Sequence, residues 1–145
     1  MIAIRISQEL ELEGEPSEFF NVVADIPHWY IWSTNFFHAS LDSRFEIGAR
    51  GTAIPKLYRI APFIVVDIIK DSLIEIDFLI SMSKINVTYE FISASKNRTK
   101  MKLTVRNASF YGWMLYFIRG KAFRRDFEKS IEAIGKQVLS LRKKK

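Results

Sequence analysis

The 145 residues suffice for one domain with a sizeable core, and 48% hydrophobic with 26% charged residues set disordered, collagen-like and fibrous classes aside. The absence of cysteine removes disulfide frameworks, thiolate metal sites, redox pairs and cysteine nucleophiles together. The net charge of +6 is local, since residues 1–107 hold 12 Lys+Arg against 13 Asp+Glu and residues 108–145 hold 10 against 3; this weighs against nucleic acid as a partner, for which a basic stripe would cross the folded body.

In chain order, residues 2–12 place Ile2, Ile4, Ile6, Leu10 and Leu12 on one parity and Arg5, Ser7, Glu9 and Glu11 on the other, the pattern of a strand with one wet face. Gly14 ends it. Pro16-Ser17-Glu18 supplies a helix start, Phe19, Phe20, Val22, Val23 and Ile26 recur at helical spacing, and Pro27 stops the run, so a first helix is expected over 16–26. His28 to Asn35 reads as a second short helix or turn with Trp29 and Trp32 on one face.

From Phe36 the period becomes two. Strands are expected at 36–42, 49–57, 63–70, 73–80, 84–94 and 99–107, joined by short connections that favour an antiparallel meander with one apolar and one solvated face. Both parities of 63–70 are mostly apolar, which leaves the side of Asp67 open, with outward the plainer reading.

Phe110 to Leu141 returns to helical period, with Phe127, Ile131, Ile134, Val138 and Leu141 as an apolar stripe beside Arg124, Arg125, Glu128, Lys129, Glu132 and Lys136. Arg142 and Lys143 to Lys145 suit a helix C-terminus, and this basic tail over 142–145 is expected to fray. The acids Glu9, Glu11, Glu13, Glu15 and Glu18 are placed to complement the basic end, within the fold or between copies. The fold class is therefore α+β, a single domain over 1–145: a seven-stranded antiparallel sheet with two short helices after the first strand must cover its apolar side with the long final helix and curl around it.

The segment after Met1 meets Arg5 at once and lacks the apolar core of a signal peptide. The runs Ile60 to Ile69 and Phe110 to Ile118 are shorter than the ~20 residues that a bilayer span needs, so a cytoplasmic location is expected.

Several local signatures fall in a telling order. Glu15-Pro16-Ser17-Glu18 opens the first helix, Asp25 follows it and Trp32 comes shortly after; Ile47-Gly48-Ala49-Arg50-Gly51 enters a strand, Val87-Thr88-Tyr89-Glu90-Phe91 lies in another, and Phe123 to Leu141 forms the terminal helix. Together they resemble the START-related lipid-transfer and polyketide cyclase/dehydrase (SRPBCC, helix-grip) superfamily over nearly the whole chain. Phe110 to Ile118 (FYGWMLYFI) departs from it, because the family often has small and polar residues there. The resemblance implies a helix-grip domain with a deep cavity between sheet and C-terminal helix that holds a hydrophobic small molecule such as a lipid, sterol, quinone or polyketide. It implies no reaction, since members range from carriers to cyclases and partner-binding proteins.

Given such a cavity, aromatic rings, the indoles among them with polar tips, are suited to line it, and the candidates on the helical segments and their borders are Trp29, Trp32, Phe37, Trp113 and Phe117. The apolar strand faces add Ile54, Ile76, Phe78, Val87, Tyr89, Leu103 and Val105. The competing reading is plain core, in which each ring buries about 150–250 Å². Phe110 to Ile118 beside Arg119, Lys121, Arg124 and Arg125 also has the composition of a peripheral membrane contact, against the plainer reading of a buried helix start.

Catalysis has little to rest on. His28 and His38 are ten apart on different elements, and no metal-binding spacing, nucleophile elbow, phosphate loop or dinucleotide fingerprint occurs, so neither metal nor cofactor is expected. Acid–base work would fall to His38, Arg50, Tyr58, Asp67 or Tyr89 reaching inward, while Asp25 and His28 read as structural residues near a helix end. The expected function is binding or transport of a hydrophobic small molecule. The alternatives are a cyclase- or dehydratase-like enzyme and a protein that meets a partner through its basic C-terminal helix; oligomeric state is not legible.

Overall fold

A computed structural model of the chain describes residues 4–33, 36–55, 60–80, 83–107 and 110–144. Alternation builds β1 (Ile4–Glu13): Ile6 is buried, Leu10 and Leu12 are half-buried, and Arg5, Ser7, Glu9 and Glu11 face solvent. Gly14 then turns the chain at φ 138°, where a Cβ would stand 2.7 Å from the Phe19 ring and 3.1 Å from Val138, so both backbone and space demand glycine. α1 (Pro16–Ala24) starts with Glu15 and Glu18 in a reciprocal capping box and with proline in its first turn. A 3-10 helix follows at Ile26–Ile31, earlier than the expected 28–35, because Pro27 is accommodated in a first turn that needs no amide from it.

The remaining strands are β2 (Phe36–Leu41), β3 (Arg50–Pro55), β4 (Ala61–Ile69), β5 (Leu73–Ile80), β6 (Ser83–Ser95) and β7 (Arg98–Asn107). They form the expected antiparallel meander, and β1 closes on the free edge of β7 to give the order β1-β7-β6-β5-β4-β3-β2. Asp71 and Asn97 take φ of 62° and 59° at the tips of the β4–β5 and β6–β7 hairpins, a conformation that Asx residues tolerate.

A bulge explains why β4 is apolar on both parities. Its register shifts between Val65 and Asp67, so Phe63 and Val65 face the core before the bulge and Ile68 faces it afterwards, opposite buried Ile74. Asp67 is thereby paired with Glu75 on the outer face, where its Oδ1 accepts the Ile68 amide at 2.9 Å. Nearby, Asn86 Nδ2 donates to Glu75 Oε2 at 2.7 Å and to Asp77 Oδ1 at 2.8 Å, which holds these acids in a surface network.

The long helix α2 (Phe110–Lys143) packs on β1, β7 and α1 and buries Ile131, Ile134 and Val138. Leu141, expected on this stripe, is 40% exposed. Arg142, expected to fray, is held in place. Its Nε donates to Glu18 Oε2 at 2.6 Å, and the guanidinium also reaches Glu18 Oε1 and Asn97 Oδ1. The acidic N-terminal run thus complements the basic helix end within one fold, as a salt bridge rather than a diffuse attraction. No helix among the described residues is long and apolar enough to cross a membrane.

Candidate functional site

The sheet's inner face is apolar, and the 3-10 helix presses two indoles onto it. Trp29 is fully buried, and its Nε1 donates to the Val23 carbonyl at 2.7 Å, which fixes the ring to the end of α1. Its ring centre lies 6.0 Å from Phe63 and 6.2 Å from Phe78, which are 5.5 Å from each other. Trp32, 5% exposed, meets Trp29 at 5.9 Å and Tyr89 edge-on at 6.4 Å. These are the offset and edge-to-face contacts that ring quadrupoles favour, so this end of the interior is filled.

Next to that plug the inner face is less fully buried. Val87 and Val105 are half-buried, and so is Ile85. Neither valine owes this to a strand edge: Val87 lies between Ile76 and Val105, and Val105 between Val87 and Ile6. Part of each residue therefore stays accessible on the inner face, and we take this stretch as the candidate hollow. Ile76 and Leu103, both buried, stand beside it, and Tyr89 is the next inward residue along β6.

Two polar tips belong to this neighbourhood. Trp32 Nε1 is buried and has no hydrogen-bond partner among the described residues. Burial pushes the Tyr89 hydroxyl well above the ordinary phenol range, so the group stays protonated at any physiological pH. Tyr89 is the one titratable side chain on the sheet's inner face among the described residues.

The lining expected from sequence is distributed unevenly. Trp29, Ile76 and Phe78 belong to the packed interior, Trp32, Tyr89 and Leu103 are buried as well, and Val87 and Val105 are half-buried. Ile54 departs from the expectation. Strand β3 turns Gly51 and Ala53 inward, so Ile54 lies on the outer face opposite His38 and is 39% exposed. The side chains of Phe37, Tyr58, Trp113 and Phe117, and those of Phe110 to Ile118 as a group, fall outside the described residues. Ile85 was not among the candidates, although it shares parity with Val87 and Tyr89.

Of the acid–base candidates, His38 and Arg50 are exposed and Asp67 faces outward, which leaves Tyr89 inside. His28 is at the surface with Nδ1 2.9 Å from the Asp25 carboxylate, so this pair joins α1 to the 3-10 helix away from the hollow. No group of three metal-ligating side chains occurs among the described residues. A second concavity, a solvent-open cleft of about 240 Å³, follows the seam of β1 and α2 between Leu12, Glu13, Glu132, Gly135, Lys136 and Leu139. Among the described residues no unpartnered buried polar atom belongs to its lining.

No protein-family model and no curated protein matches the chain. Solved structures match it in fold. The chain superposes with a TM-score of 0.76 on truncated norcoclaurine synthase from Thalictrum flavum, at 11% identity over 95% of this chain and 94% of that one. The score is 0.75 for the Zhui aromatase/cyclase from a Streptomyces species, at 10% identity over 94% of each chain. It is 0.75 again for a START superfamily protein from Mycobacterium smegmatis, at 12% identity over 94% of this chain and 98% of that one. At such identities the likeness is one of architecture: the chain has the helix-grip fold of these proteins, as the sequence resemblance implied.

Proposed function

We propose that the chain binds a hydrophobic small molecule on its concave face, in the hollow beside Val87 and Val105. The observation that carries this reading is that two apolar residues on interior strands of the sheet's inner face stay only half-buried. Apolar surface left wet forfeits about 25 cal/mol per Å², a loss that a ligand covering it would recover. The fold supports the reading, since norcoclaurine synthase, similar in architecture, holds dopamine and hydroxybenzaldehyde.

Binding is favoured over catalysis by the inner face itself. A phenol kept protonated by burial donates a hydrogen bond but takes up no proton at neutral pH, and Tyr89 has no second titratable group beside it on that face among the described residues. Two measurements test the reading. Native mass spectrometry after gentle purification should reveal a bound apolar molecule, and 1-aminoanthracene should bind the emptied protein with an affinity that Val87→Phe lowers about tenfold by filling the hollow. A bare mass together with equal probe binding by both proteins would reject it.

A further inference from the structure

We infer that β2 is the docking edge for a second copy of this chain, the two β2 strands pairing antiparallel about a two-fold axis at Ser40 and joining two sheets into one.

The sheet has two edges, β1 and β2, and they are built differently. Strand β1 carries Arg5, Glu9, Glu11 and Glu13 and packs against α2. Charges along an edge strand and an element laid over it are devices that keep sheets from joining. Strand β2 (FFHASL) has no Lys, Arg, Asp, Glu or Pro, and its one irregularity, a register shift between Phe36 and His38, lies ahead of the regular stretch at 38–41. The 3-10 helix packed on β2 leaves Tyr30 54% and Ile31 48% exposed, so apolar surface accompanies this edge.

The alternation of an antiparallel ladder decides which backbone groups are free. Asp42 N–H donates to the Arg50 carbonyl at 2.9 Å, and the Ser40 carbonyl faces Gly51 of β3, so residues 38, 40 and 42 spend their backbone groups on β3. Ala39 and Leu41 turn theirs to the open side, where they meet no hydrogen-bond partner among the described residues. Pairing centred on Ser40 sets Ala39 opposite the partner's Leu41, and each of the two such pairs exchanges two hydrogen bonds. The same register sets His38 opposite the partner's Asp42, again twice. Both side chains are exposed on the outer face, and neither enters an ion pair among the described residues. The imidazole donates to that carboxylate, and no like charges face each other along the paired stretch. An unrelated extended peptide would satisfy the amides, but a second copy also brings an acid to His38 and an imidazole to Asp42.

Sedimentation velocity from about 10 μM to about 1 mM should show the wild type passing from monomer to dimer. Ser40→Lys, which sets two cations face to face on the axis, should weaken association about tenfold or more. His38→Asp and Asp42→Lys should each weaken self-association, whereas an equimolar mixture of the two should regain it, because the substituted side chains then meet as an ion pair. That rescue belongs to this register alone and does not depend on the stability of either variant. Amide exchange at Ala39 and Leu41 should be fast in the dilute monomer and slow in the dimer. A chain that stays monomeric throughout would overturn the inference, whether or not β2 takes up an extended peptide of another kind. A dimer indifferent to Ser40→Lys, a mixture without rescue, or slow exchange of the two amides already in the monomer would overturn it as well.

Discussion

Glu18 and Arg142, 124 residues apart in the chain, meet side by side, with Arg142 Nε 2.6 Å from Glu18 Oε2 and the guanidinium also engaging Glu18 Oε1 and Asn97 Oδ1. Glu15 Oε1 accepts the Asn97 amide at 2.9 Å, and Asn97 O accepts the Gly14 amide at 2.9 Å. The start of α1, the β6–β7 turn and the end of α2 are thus tied at one point. Lone surface ion pairs contribute little, but bidentate geometry with a third partner is the arrangement in which they do.

Arg142→Ala is therefore expected to lower Tm by roughly 5 °C, with a smaller gap at high salt. In a double-mutant cycle with Glu18→Gln the two losses should not add. Additive losses in thermal melts would show that the contact carries no weight.

The two buried indoles should respond differently to the same substitution. Trp29→Phe strands the Val23 carbonyl that its Nε1 satisfies, whereas Trp32→Phe removes a donor that is already unpaired. Urea unfolding should find Trp29→Phe costlier by about 1–3 kcal/mol. Equal costs would mean that Trp32 Nε1 is satisfied in the folded protein.

Tyr89 predicts a pH dependence with a definite sign. Its hydroxyl is held above the ordinary value of 10.0 by burial, so above pH 10 the unfolded chain loses this proton while the folded chain keeps it. Stability should be unaffected by this group below that pH and fall above it, by up to about 1.4 kcal/mol per pH unit. Lysines titrate in the same range, and the comparison with Tyr89→Phe isolates the tyrosine. The variant's stability curve should descend less steeply, and parallel curves would contradict the assignment.

Ile76 and Val87 are cross-strand neighbours on the inner face with opposite environments, one fully buried and one half-buried. Ile76→Ala should cost about 2–5 kcal/mol, while Val87→Ala, which truncates a side chain that is only half-buried, should cost about 1 kcal/mol or less. Denaturant titration of the two variants measures the contrast directly.

The strands were legible wherever one parity carried polar residues, as in β5, where Glu75 and Asp77 alternate with Ile74, Ile76 and Phe78. Strand β4 was harder, because its bulge moves the inward side from Val65 to Ile68 and alternation alone cannot register an inserted residue. Ile54 misled for a related reason. The inward residues of β3 are Gly51 and Ala53, kept small where the Phe63 ring packs over Gly51, so the strand's one large aliphatic side chain, Ile54, falls on the outer parity with Arg50 and Thr52. The polar character of the site was not legible at all. Trp29 and Trp32 look alike in a sequence, and only the folded backbone decides which indole finds a carbonyl.

The closing of β1 onto β7 has a kinetic consequence. Every other ladder joins strands consecutive in the chain, whereas β1 pairs from Ile4 opposite Asn107 to Glu13 opposite Arg98, and the hydroxyl of Thr99 reaches back 85 residues to the Gly14 carbonyl. Long-range pairings of this kind form slowly, because the intervening chain must be ordered before the contact repays its closure. During synthesis the hairpins from β2 to β7 have their neighbours at hand, while Ile6, Leu10 and Leu12 wait without a partner strand. Within this sheet the strand made first is the last one able to pair, and that interval is when its apolar face is most exposed to aggregation.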